Sequence, residues 1–151
     1  MGMIVTLDRM IHANAVHQEL GKEIGLGSCC CGCGDKATDL SPIDLVAMSV
    51  ASCMIIVMAK GAEGKGLDLT GTWAETSYAL KDYKIASIAV TVHCPYLPSA
   101  ANREFLEKES HRCPVYLAVK DSVDVTVVFD WGTAAVPVAK KAAKACSAHC
   151  G

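Results

Sequence analysis

The pattern of apolar and polar positions divides the chain into contrasting stretches. Residues 3 to 27 carry short apolar segments, MIVTL, AVHQEL and KEIGL, broken by Asn14, Gly21 and Gly25, and predict a small antiparallel meander. Residues 28 to 40, SCCCGCGDKATDL, read as a loop. At Ser41 the signal changes: Ser41 suits an N-cap, Pro42 a first helical position, and Asp44 completes an S-x-x-D capping pattern. The run LVAMSVASCMIIVMA that follows is apolar nearly all round, and Gly61, Gly64 and Gly66 mark its exit. A helix without a polar face must be buried on every side, and a chain of 151 residues has little material to do that alone. The expectation is a homodimer that buries the 42–60 helix, with Ala47, Ser49, Ala51 and Ser52 small enough for close backbone approach.

Two strands follow, LDLTGTWAETSYAL (67–80) and YKIASIAVTVHC (83–94), with a turn expected at Lys81–Asp82. In the second strand Ile88, Val90, Val92 and Cys94 alternate with Ala89, Thr91 and His93, the period-2 pattern of a half-buried strand. Ser99 then caps a polar helix, AANREFLEKESHR, whose Phe105, Leu106 and Glu109 mark one packing side. A short helix from Pro114 and a last strand, VDVTVVFDW (123–131), complete a domain over 1–131. Residues 132–151 form an Ala/Lys-rich tail with helical character from Pro137. The order of elements is α+β, with no βαβ alternation.

Composition narrows the function classes. Hydrophobic residues are 52% and charged residues 20%, a globular balance, and the net charge is −2. No stretch is densely basic, so neither nucleic acid nor an anionic membrane surface is an expected partner. The N-terminus lacks a signal-peptide pattern. The longest uncharged apolar stretch, Leu45 to Ala59, is shorter than the roughly 20 residues that span a bilayer. A soluble, cytoplasmic protein is expected.

Nine cysteines in a reducing compartment point to catalysis or metal rather than a disulfide framework. Cys29, Cys30, Cys31 and Cys33 crowd one Gly-rich loop, Cys146 and Cys150 lie in the tail, and Cys53, Cys94 and Cys113 sit in regular structure. Loop and tail thiols, with His149, offer a zinc or iron–sulfur reading. Three adjacent cysteines converge poorly on one ion, however, and reduced loop thiols are the expectation. Cys113 precedes Pro114 at a helix start, where the backbone dipole and Arg112 favour thiolate and His111 stands two residues away. Cys53, mid-helix among apolar residues, is alone a small buried hydrophobe.

The stretch SPIDLVAMSVASCMIIVMAKGAEGKGLDLTG, followed later by HRCPVY, resembles the OsmC/Ohr superfamily of thiol-dependent hydroperoxide reductases, in its OsmC-like branch. The resemblance implies antiparallel sheets wrapped around long central helices in an intertwined homodimer. It also implies a Cys53/Cys113 pair: Cys53 as the peroxidatic thiolate and Cys113 as the resolving thiol. The substrate class implied is an organic hydroperoxide or other apolar small molecule. No cofactor is implied, only an external dithiol or lipoyl-type reductant. Peroxidases of the family commonly place a glutamate ten residues before the first cysteine, where it orients an arginine; here position 43 is Ile and the acid is Asp44. One residue on a helix turns a side chain by about 100°, which makes Asp44 a capping candidate. Arg9, the one arginine upstream of the long helix, takes the arginine's place in this reading, with a solvated turn residue as the competing one. The other function class is a non-enzymatic small-molecule-binding or redox-sensing protein, with or without metal at the Cys-rich loop.

Overall fold

A computed structural model describes residues 2–9, 12–27 and 40–133. The strands and helices, in chain order, are β1 (Met3–Arg9), β2 (His12–His17), β3 (Lys22–Gly27), α1 (Pro42–Glu63), β4 (Trp73–Lys81), β5 (Lys84–Cys94), α2 (Ala100–Ser110), α3 (Pro114–Val119) and β6 (Asp124–Trp131). The Cys-rich loop and the C-terminal tail from 134, with the helix expected from Pro137, lie outside the described residues. Two compact units divide within α1, between Val46 and Ala47.

In the first unit β1, β2 and β3 form the expected antiparallel meander. The breaks expected at Asn14 and Gly25 are absent, because these two residues pair directly across β2 and β3. Of the three, Gly21 turns the chain, at φ 60°, a conformation that costs glycine little. The Gly27 amide donates to the Leu40 carbonyl at 3.0 Å, which ties the meander to the residue just before α1. At that helix start the Ser41 amide donates to Asp44 Oδ2 (2.9 Å) and the Ile43 amide to Ser41 Oγ (3.2 Å). This is the reciprocal capping box read from the sequence.

In the second unit α1 buries Ala47, Val50, Ala51, Met54, Met58 and Ala62, one stripe at three- and four-residue spacing. The helix does not stop at Lys60 but runs through Gly61 to Glu63. Its 22 residues are long and apolar enough, by length and composition, to cross a membrane, although the uncharged stretch is shorter. Val50, Met54 and Met58 are fully buried within the protein itself, as in a core helix. Gly61 is a packing residue rather than an exit signal: a Cβ there would stand 2.9 Å from Glu109 Cγ and 3.5 Å from Phe105. The side of α2 that carries Phe105 and Glu109 therefore meets α1, as its sequence pattern suggests.

The second sheet has the order β4-β5-β6. β4 and β5 are antiparallel, and their turn falls one residue later than expected, at Asp82 and Tyr83 with φ 51° and 60°. Positive φ at both central residues matches the twist of a tight hairpin. β6, however, lies parallel to β5, so the sheet is mixed rather than antiparallel throughout. Parallel neighbours need a long crossover, which α2 and α3 supply; β5-α2-α3-β6 is thus a crossover unit that the order of elements alone did not reveal. The alternation in β5 holds: Ile88, Val90, Val92 and Cys94 are all at most 2% exposed.

Candidate active site

Cys53 lies in the middle of α1 and is half-buried; Cys113 is the N-cap of α3 and has no exposed surface. Every polar group of Cys113 is engaged. Its amide donates to the Ser110 carbonyl (3.2 Å), its carbonyl accepts from Leu117 (3.0 Å), and its sulfur accepts from the Tyr116 amide (3.3 Å). Pro114 fits the position after it because the missing N–H would have no helical partner there. Cys53 stands near enough to Cys113 to help raise the pKa of its thiol. Two cysteines sixty positions apart are thus brought near one another by α1 and the start of α3.

The acidity expected of Cys113 is corrected. Burial pushes its thiol above the ordinary value, the hydrogen bond and charge of the Cys53 sulfur push it further the same way, and the Tyr116 and Val115 amides pull it down without prevailing. α3 has only six residues, so its dipole is small, and the Arg112 and His111 side chains expected to help are engaged elsewhere. Arg112 Nη1 donates to Glu109 at 3.0 and 3.3 Å with its side chain largely in solvent. His111 donates from Nδ1 to the Glu107 carbonyl (2.7 Å) and packs edge-on against Tyr116, with Phe129 beyond. Of the sequence-derived site residues, Cys53 and Cys113 come together. The Arg9 side chain lies outside the described residues. Asp44 faces the Ser41 amide as a cap.

A polar cluster not found from the sequence occupies the other face of the second sheet. His93 stacks on Trp73 at 4.0 Å and donates from Nδ1 to Asp130 Oδ2 at 3.2 Å. Trp73 and Asp130 are the cross-strand neighbours of His93 on either side. Alternation placed His93 on this face, but its neighbour on β6 depends on a parallel register that no local signal encodes. Among the described residues no group of three or more His, Cys, Asp or Glu side chains gathers as metal ligands. An open depression of about 450 Å³ at the end of α1, lined by residues including Ala59, Glu63, Leu67 and Asp68, contains neither cysteine.

Residues 34–128 match the family model of the OsmC-like proteins, and the chain belongs to that family. Among solved structures it is similar to an osmotic stress induced and detoxification response protein from Psychrobacter arcticus 273-4. That match has 21% identity and a TM-score of 0.77 over 84% of this chain and 93% of the other. It is also similar to the organic hydroperoxide resistance protein OsmC of Legionella pneumophila, at 16% identity and TM-score 0.67 over 86% and 97% of the two chains. The organic hydroperoxide resistance protein OhrB of Bacillus subtilis matches at 16% identity and TM-score 0.66 over 86% and 98%. At these identities the likeness establishes the fold. No curated protein matches the chain.

Proposed function

We propose that the protein is a thiol peroxidase that reduces organic hydroperoxides in oxidative-stress defence. The observation that carries this reading is the nearness of Cys53 to Cys113, felt as a raised Cys113 pKa. Two structurally similar proteins named for organic hydroperoxide resistance support it. Cys53, the more accessible sulfur, attacks a peroxide oxygen as thiolate; the O–O bond breaks, an alcohol leaves, and Cys53 becomes a sulfenic acid. Cys113 then closes a disulfide, which an external dithiol, of lipoyl type in this reading, reduces by thiol–disulfide exchange. The reaction calls for no metal or organic cofactor. Arg9 is the proposed cation for the Cys53 thiolate.

We further propose a soluble cytoplasmic homodimer. Met48 and Ile56, 48% and 56% exposed, lie with exposed Ser52 and Ala59 on one stripe of α1 opposite the buried one, and a second copy would cover it. Ile43, standing where the peroxidases carry glutamate, favours a second reading: a small-molecule-binding or redox-sensing protein. Consumption of cumene hydroperoxide with a dithiol separates them. An enzyme turns over many times, a sensor stops after one equivalent, and a binding protein consumes none.

A further inference from the structure

Cys113 sits in the bend between α2 and α3, and α3, with six residues, is too short to be stable on its own. Within the bend the hydrogen bonds are local. Ser110 Oγ donates to the Glu107 carbonyl at 2.7 Å, His111 Nδ1 donates to the same carbonyl at 2.7 Å, and the Cys113 amide donates to the Ser110 carbonyl at 3.2 Å. The main chain of Glu107 therefore collects the bend. Its side chain reaches to the sheet instead, where Oε1 accepts from Trp131 Nε1 at 3.0 Å across 24 positions of sequence. Trp131 is itself fixed at the end of β6. It is the register partner of Cys94, whose carbonyl takes the amides of Gly132 (2.7 Å) and Thr133 (3.2 Å). The Trp131 ring stacks on Phe129 with the planes 13° apart. Phe129 meets the His111 ring, and His111 meets Tyr116, so ring contacts run from the same strand to both sides of Cys113.

We propose that Glu107 and Trp131 are positioning residues for Cys113: their hydrogen bond ties the α2–α3 bend to the end of the sheet and holds the buried sulfur where disulfide closure needs it. The inference rests on the peroxidase reading above, which makes Cys113 the resolving thiol, and adds the residues that hold that thiol in place. A disulfide tolerates only a narrow range of separations and directions of its two Cβ atoms. Cys113 has no exposed surface, so it attacks from where the bend puts it rather than by swinging through solvent. Freeing the bend spreads the sulfur over positions of which few allow attack, and small misplacements of a reacting group lower a rate steeply. Neither Glu107 nor Trp131 takes part in making or breaking the sulfur bonds; each acts through the main chain that carries Cys113.

The test follows closure in the full-length protein without peroxide, so that it does not depend on turnover. Oxidised glutathione first loads Cys53 as a mixed disulfide. The Cys113 thiolate then attacks the Cys53 sulfur; the Cys53–Cys113 bond forms as the bond to glutathione breaks, and glutathione leaves as thiolate and takes up the proton that Cys113 gave up. Cys113 is oxidised and glutathione reduced. Acid quenching and peptide mass spectrometry read loading and closure separately. Glu107→Ala and Trp131→Phe, which keeps the ring but removes the N–H, are expected to slow closure about tenfold with loading unchanged. The double variant is expected to be no slower than the slower single one, because both remove the same tie. Glu107→Gln, which keeps an oxygen acceptor for the indole N–H, restores closure to near the wild-type rate. Glu104→Ala removes the exposed Lys108 pair on the same helix and leaves closure unchanged. Wild-type closure in both Glu107→Ala and Trp131→Phe overturns the proposal, as does equal slowing in Glu107→Ala, Glu107→Gln and Glu104→Ala. A wild-type protein that stays at the mixed disulfide overturns it together with the Cys53–Cys113 pairing. A protein whose closure behaves as expected but which consumes no hydroperoxide would refute the peroxidase reading alone.

Discussion

Cys94 and Cys113 are both shut off from solvent, at 1% and 0% exposure, and both sit at the end or start of a regular element. Their surroundings differ in one respect that decides their chemistry. The Cys94 sulfur lies 3.4 Å from the Thr72 hydroxyl, whose proton goes to the Leu69 carbonyl at 2.7 Å. The strand pairing holds it there, with its carbonyl taking the Gly132 and Thr133 amides. These described partners, a hydroxyl and backbone groups, neither accept nor deliver oxidising equivalents. Cys113 has a second thiol for a neighbour. Burial makes a cysteine a small hydrophobe; a second thiol nearby makes a pair that can close a disulfide where the geometry allows it.

The sharpest way to break this comparison is substitution at all three positions. Cys53→Ser is expected to abolish hydroperoxide consumption. Cys113→Ser is expected to permit one oxidation, leaving Cys53 as sulfenic acid or a higher oxide detected by mass spectrometry. Cys94→Ser is expected to leave turnover unchanged. Loss of turnover in Cys94→Ser with no loss of folding would erase the distinction.

The two stripes of α1 provide the next contrast. Met54 is fully buried, so Met54→Ala is expected to cost about 2–5 kcal/mol in urea unfolding. Ile56 faces outward, and Ile56→Asp is expected to leave the protomer folded while light scattering reports monomers in place of dimers. A wild-type protein that is monomeric at micromolar concentration would remove the dimer. At the head of the helix, Ser41→Ala removes the hydroxyl that accepts from Ile43 and is expected to cost about 1 kcal/mol.

A smaller effect follows from Cys113 itself. Its folded-state thiol titrates above the ordinary 9.0, so at alkaline pH the unfolded chain gives up this proton before the folded one does. The stability tied to its neutral form is complete below that ordinary value and falls as pH rises through the higher folded value. Urea midpoints measured across the alkaline range are expected to fall in wild type and to fall less steeply in Cys113→Ala. Equal slopes would contradict the assigned burial effect.

Local pattern carried most of this fold. The capping residues Ser41 and Asp44, the alternation from Ile88 to Cys94 and the Ser99 cap each act within a few residues, and each element stands close to where its residues put it. What local pattern missed was set by distant partners. The parallel placement of β6 depends on how α2 and α3 return the chain, and Gly61 is explained only by the α2 side chains that cross it. The site divides in the same way. Cys53 and Cys113 were legible through motifs, and Cys113's place as N-cap through Pro114. Its acidity was misjudged because burial and the Cys53 sulfur, neither visible along the chain, outweigh the helix start and Arg112.

The pairing of Cys53 with Cys113 is the claim on which the rest depends, and disulfide mapping by mass spectrometry tests it most directly. The fully reduced protein is treated with one equivalent of cumene hydroperoxide, alkylated and digested. A Cys53–Cys113 bridge as the dominant product is the expected result, with Cys94 recovered as free thiol. Oxidation confined to the cysteines of the 28–40 loop or the tail, with Cys53 and Cys113 both still reduced, would contradict it.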